Sequence, residues 1–184
     1  RPGEAAAAAR TCKGEAHLLW RRGTEAMGEL AELAKIAKVV TKNAVGDEIN
    51  YASKLIEGRS KELDSKDTEA EAAYNSAIAL QPNRMEAHVR LGALMQRTGK
   101  DGVPELKKAV DADPKDPTAQ LEYGRALAND PAKKTEAITA LERSIAERPT
   151  NLEAMRLATE VYITQNKLSD AKRIAAKVLA LAPN

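Results

Sequence analysis

Side chains able to carry out a reaction are sparse in this chain of 184 residues. There are two histidines, His17 and His88, and one cysteine, Cys12. An imidazole can act as a general base or bind a metal, and a thiolate can attack an electrophile. Neither works alone, because a base needs an orienting partner and a metal needs several ligands. The sequence writes no HExxH, GxSxG or dinucleotide-binding pattern. Gly99-Lys100-Asp101-Gly102 lacks the spacing of a phosphate loop and reads as a turn between helices. Both histidines read as packing or surface residues, so no catalytic residue, metal ligand or cofactor is assigned. Carboxylates are many, but they alternate with bases as on solvated helix faces, for example Glu32 with Lys35. The remaining chemistry is recognition: arginine, whose planar fork suits a carboxylate.

Composition narrows the classes further. With 29 basic and 27 acidic residues the net charge is +2, without the basic excess of a nucleic-acid binder. A single cysteine excludes an internal disulfide framework and a CxxC metal site, and it is compatible with a reducing compartment such as the cytoplasm or an organelle interior. No run of about 18 apolar residues could span a bilayer. Aromatics are 3% and phenylalanine is absent, so the core must be built from small and aliphatic side chains. Residues 1–14 read as a flexible, alanine-rich N-terminus, either the remnant of a cleaved presequence or a linker.

The elements that position these residues announce themselves through proline. Pro82, Pro114, Pro149 and Pro183 fall at spacings of 32, 35 and 34 residues, each closing a similar apolar segment. A period near 34 marks a helical repeat array. Phasing on the prolines gives repeats of about 51–84, 85–116, 117–151 and 152–184, each expected to be two amphipathic helices. Capping signals support the starts of these helices: Asn83 with Glu86, Thr150 with Glu153, Thr68 with Glu71, Ser169-Asp170, and Asp116 followed by Pro117. Ahead of the array, Asn43–Asp47 reads as a turn. Residues 15–46 read as a helical segment, one long helix or two short ones broken at Gly23 or Gly28, carrying Leu18, Leu19, Ala26, Leu30, Leu33, Ile36, Ala37 and Val40 and expected to cover the N-terminal face of the array with Trp20 as an anchor.

The array resembles the tetratricopeptide repeat, W-x2-L-G-x2-Y in the first helix and A-x3-F then P in the second. The second repeat has His88, Leu91, Gly92 and Met95, then Gly102, Leu106, Ala109 and Pro114. The third has Gln120, Tyr123, Gly124 and Leu127, then Ala137, Leu141, Ser144 and Pro149. The fourth has Met155, Ala158, Thr159 and Tyr162, then Ala171, Ala175, Val178 and Pro183, while the first keeps Gly58, Ala70, Tyr74, Ala77 and Pro82. Glu57 and Lys61 stand where apolar residues are expected, so the first repeat departs from the pattern. The third repeat is about one residue long near Asn129–Lys134.

The resemblance implies an all-α, right-handed solenoid of antiparallel helix pairs with the first helices lining its concave side. It places Leu55, Val89 and Leu121 in an apolar line there, and Arg59, Arg97, Arg125 and Arg156 in a basic one. Asn129, Glu153, Glu160 and Thr164 share that side. The expected ligand is a protein segment, extended or helical, with apolar anchors and acidic flanks. Family members that clamp the acidic tails of heat-shock chaperones use Asn and Lys where this chain has Val89, Ala93 and Leu121, which sets that activity aside. A second surface is expected at the C-terminal end, from Ile174, Val178 and Leu181. The chain therefore reads as a non-enzymatic scaffold, an accessory or assembly subunit of a hetero-oligomer. A receptor for transient client peptides, or the repeat domain of a larger regulatory protein, fits the same residues.

Overall fold

A computed structural model describes residues 44–181, so the expectations for residues 1–43 and for Pro183 lie outside the described residues. Every regular element described is helical. The order is α1 (Ala44–Leu63), α2 (Asp67–Leu80), α3 (Met85–Arg97), α4 (Val103–Ala112), α5 (Pro117–Ala128), a single 3-10 turn (Pro131–Lys133), α6 (Lys134–Glu147), α7 (Leu152–Thr164) and α8 (Leu168–Leu181). The chain divides into two compact units, Arg1–Ala87 and His88–Asn184.

Each proline does the same local work. The residue before it (Gln81, Asp113 or Arg148) has φ between −140° and −133° and ψ between 83° and 91°. Proline disfavours the helical region for its predecessor, so the helix must stop there. That residue's N–H still closes the last helical turn, donating to Ala77, Ala109 or Ser144 at 3.0 Å. The chain then reverses, with the N–H groups of Arg84, Asp116 and Asn151 returning to the carbonyls of Gln81, Asp113 and Arg148 at 3.3, 3.2 and 3.0 Å. One turn is thus written three times.

The turns within repeats share a second geometry. Ser65, Gly99 and Asn166 take positive φ (59°, 78° and 57°), and the lysine after each, Lys66, Lys100 or Lys167, donates its N–H five residues back at 2.8, 2.8 and 2.9 Å. This is a Schellman ending, which needs one left-handed residue. It moves two helix starts away from their sequence signals. α2 begins at Asp67, so Thr68 is not its cap, and α8 begins at Leu168 rather than at Ser169. The third repeat is the exception: its extra residue is absorbed by the 3-10 turn, with Asp130 accepting the Ala132 N–H at 2.9 Å.

In the Arg1–Ala87 unit, α1 is longer than the first helices that follow. The turn expected at Asn43–Asp47 is helix from Ala44 onward. A lone Gly46 costs only about 1 kcal/mol inside a helix, and Asp47 favours the first turn. α2 turns Ala70, Ala73, Tyr74 and Ala77 inward at helical spacing. The Tyr74 ring lies where a Cβ on Gly58 would sit, and its hydroxyl donates to Glu62 at 2.5 Å. Glu57 and Lys61, the departures from the family pattern, find ionic partners in Lys54 and Glu69, each at 2.6 Å. Tyr51 is buried with Ala77 and Ala87, and its hydroxyl accepts the Ala87 N–H at 3.2 Å. Arg84 stacks 4.7 Å above the Tyr51 ring and pairs with Glu48 at 2.6 Å.

In the His88–Asn184 unit the repeat glycines mark helix crossings. A Cβ on Gly92 would come 2.6 Å from Leu106 Cγ, and one on Gly124 would come 2.7 Å from Leu141 Cγ. Gly102 meets the Gly92 carbonyl closely enough to exclude any side chain. α6, α7 and α8 then share a core of Ile138, Leu141, Ile145, Met155, Ala158, Val161, Tyr162, Ala171 and Ile174.

Candidate binding groove

α5 and α7 are the first helices of consecutive repeats, and a groove of about 330 Å³ runs along them. Both start from local caps. The Asp116 carboxylate accepts the N–H groups of Thr118 and Ala119 at 2.8 and 2.7 Å, ahead of Pro117 at the first helical position. Asn151 accepts the Ala154 N–H at 3.2 Å and donates to Ser144 at 3.0 Å. Asn151 therefore takes the place expected of Thr150. At α3 the expected cap Asn83 is also displaced, because the helix begins at Met85.

The groove is lined by Arg125, Ala128, Asn129, Glu153, Arg156, Leu157, Glu160, Val161 and Thr164. Leu157 and Val161 are buried members of the α6–α8 core, so its floor is apolar and fixed. Its walls are charged. Glu153 accepts from Arg156 Nε and Nη2 at 3.1 and 2.8 Å, and from Arg125 Nη2 at 3.2 Å. Arg156 also pairs with Glu160, and Arg125 Nε lies 3.7 Å from Glu122. The Arg156 hydrogen bonds, set against slight burial and aided by Arg125, hold the Glu153 carboxyl below its ordinary value. Glu122 moves the other way: burial raises it, and the nearby Arg125 and Arg90 offset only part of that.

Of the residues expected on the concave side, the structure brings Arg125 and Arg156 together, with Asn129, Glu153, Glu160 and Thr164 beside them. Arg59 pairs with Glu62 at 3.3 Å within its own unit, and Arg97 is exposed in the last turn of α3. The apolar line needs correction. Val89 is only 6% exposed, and Leu55 and Leu121 are half-buried against the core clusters of their own units. These positions serve packing first, because a first helix must bury side chains on two flanks. The C-terminal surface is corrected too. Ile174 is 1% exposed and belongs to the core, and Val178 packs against it, whereas Leu181 is exposed. The residues missed were Ala128, Leu157 and Val161. Their signal was present, since they lie at helical spacing beside the arginines.

His88 is buried, with Nδ1 2.7 Å from Glu105, and it joins α3 to α4. Burial raises the Glu105 carboxyl, but hydrogen bonds from Lys108 and His88 bring it below its ordinary value. No cluster of three potential metal-binding side chains occurs among the described residues. No helix among them is long and apolar enough to cross a membrane.

The tetratricopeptide-repeat family model matches residues 135–184. No curated protein sequence matches the chain. Among solved structures it is similar to a MamA protein, at 25% identity over 71% of this chain and 72% of that one, with a TM-score of 0.65. It is also similar to MamA from Desulfovibrio magneticus RS-1, at 20% identity over 94% of each chain with a TM-score of 0.66. A third likeness is YrrB, described as a tetratricopeptide-repeat protein with an unusual peptide-binding site: 17% identity, 87% and 83% covered, TM-score 0.64. The chain thus has the fold of tetratricopeptide-repeat structures, and its residues 135–184 match the model of that family.

Proposed function

We propose that the chain is a non-enzymatic interaction scaffold that holds a segment of a partner protein in the groove between α5 and α7. The carrying observation is the groove itself: a fixed apolar floor at Leu157 and Val161 under two arginines, Arg125 and Arg156, whose forks converge on one carboxylate. Tetratricopeptide folds generally mediate protein–protein contacts, and YrrB is described by its peptide-binding site.

The ion pairs refine the expected ligand. Glu153 and Glu160 already satisfy both arginines, so the groove is not a plain acidic-peptide receptor. A partner carboxylate enters by exchange with Glu153, because water screens exposed pairs of this kind and leaves them weakly held. Affinity then comes from apolar contact with the floor, and the arginines set register. The partner segment is a small apolar side chain beside a carboxylate, consistent with an accessory or assembly subunit.

The test is recovery of partners from the native source by the full chain and by R125E/R156E. Partner capture should fall roughly tenfold or more in the double variant, with the thermal midpoint little changed, since both side chains are exposed. Equal recovery by both proteins removes the groove as the binding site.

A further inference from the structure

The repeat phase makes α5 and α7 comparable position by position, and one match differs in kind. The spacing that separates Pro114 from Pro149 also separates Gln120 from Met155, Tyr123 from Ala158 and Glu122 from Leu157. Leu157 is buried and forms part of the groove floor. Its counterpart is a carboxylate whose side chain is only 21% exposed. Among the described residues Glu122 accepts no hydrogen bond; its ion pair is to Arg125 Nε at 3.7 Å, beyond hydrogen-bond length. The same guanidinium donates to Glu153 through Nη2 at 3.2 Å, so Arg125 stands between two carboxylates and satisfies one. Burial holds the Glu122 carboxyl above its ordinary value even with Arg125 and Arg90 nearby, and Glu153 adds repulsion.

Such a carboxylate is tolerated while water reaches its exposed edge. A segment lying across α5 and α7 displaces that water, and a buried anion without donors is far costlier than an exposed one. An apolar or acidic side chain over Glu122 is therefore disfavoured, whereas a cationic one supplies the missing donors. We infer that Glu122 selects a basic side chain, lysine or arginine, in the partner segment. This rests on the reading that the α5–α7 groove holds that segment.

The repeat phase also sets the spacing. Matching positions on neighbouring packed helices lie about 8–10 Å apart, which an extended chain spans in about three residues. The segment thus carries an apolar side chain over Leu157, a carboxylate at Arg125 and Arg156, and a cation at Glu122 about three residues from the apolar one. Its mixed charge matches walls that themselves alternate in sign.

The experiment is selection of displayed random peptides on the full-chain wild type, with affinities of synthetic copies then measured on wild type, E122Q, E122K and R125E/R156E. Selected peptides are expected to carry Lys or Arg about three residues from an apolar side chain. Replacing that cation by Glu should weaken binding to the wild type roughly tenfold or more, and to the isosteric E122Q less than about threefold. E122K should invert the preference. Peptides that need Arg125 and Arg156 but show no basic preference, or one that E122Q leaves intact, overturn the inference and leave the groove standing. If E122Q removes only the preference for a carboxylate, Glu122 merely supports Arg125, and its choice of a cation is overturned. Peptides held equally by the wild type and R125E/R156E, or no selected peptides at all, remove the groove and this inference with it.

Discussion

α6 and α8 are the second helices of adjacent repeats, and they differ chiefly in what lies against their outer faces. Both turn buried residues inward, Ala137 and Leu141 in α6 and Ala171 and Ile174 in α8. Outside, Ile145 is core and Leu179 is surface. A leucine at the end of a repeat is therefore neither a core residue nor a surface residue by its own nature. Its role depends on whether a further helix is supplied, which is how a quasi-one-dimensional fold couples stability to assembly.

The sharpest way to break this comparison is to charge both positions. I145D should cost about 3 kcal/mol or more, from lost burial and an uncompensated charge, whereas L179D should stay within about 0.5 kcal/mol. Urea unfolding checks both, and equal losses would mean that α8 is covered as α6 is. The glycine crossing comes next. G124V should cost about 2 kcal/mol, since its Cβ alone would lie 2.7 Å from Leu141 Cγ and 3.1 Å from the Ala137 carbonyl. T159V, at the matching position of the fourth repeat, should cost less than about 1 kcal/mol, because that crossing already holds a branched side chain.

Glu142 ties the two repeats together, accepting from Tyr162 and Arg173, each at 2.7 Å. Y162F should cost about 1 kcal/mol by thermal or urea unfolding. Burial of the Tyr162 phenol and its bond to Glu142 push its pKa up to about 12, so the hydroxyl stays a donor at neutral pH. Burial raises the Glu142 carboxyl, but the Arg173 and Tyr162 hydrogen bonds bring it below its ordinary value of 4.5. A depressed folded pKa means that the native state holds fewer protons, so this stability is present above 4.5 and is lost as pH falls through the folded value. Melting temperatures at graded acid pH should therefore fall less steeply for E142Q than for the wild type. Glu122, held above its ordinary value mainly by burial, has the opposite sign: its ionisation above 4.5 costs stability, and E122Q should gain slightly there.

A small effect is also expected at Gln120. Its Nε2 donates to the Pro114 carbonyl at 2.8 Å, while its buried Oε1 has no partner among the described residues. Met155 fills the matching place in the fourth repeat, so Q120M should lie within about 1 kcal/mol of wild type.

The proline period and the Gly-x-x crossings made the repeat fold legible in the sequence, because each rests on a local backbone rule. Asp116-Pro117 was legible for the same reason. Helix starts after the left-handed residues Ser65 and Asn166 were not, since the Schellman turn sets them and Thr68 and Ser169 merely follow. The Tyr51 hydroxyl that accepts the Ala87 N–H could not be read either, because donor and acceptor are 36 residues apart. In the groove, Arg125 and Arg156 were legible by phase, and the Glu153–Arg156–Glu160 spacing already implied their pairing. The burial of Val89 and Ile174 was not, because position within a repeat does not say how many neighbours a helix has.

The central claim, that the α5–α7 groove holds the partner and the α8 face does not, is tested most directly by one comparison. Partner recovery is measured for the wild-type full chain, R125E/R156E and L179D side by side. The groove variant should lose the partner and L179D should keep it. Loss in L179D with retention in R125E/R156E would contradict the account.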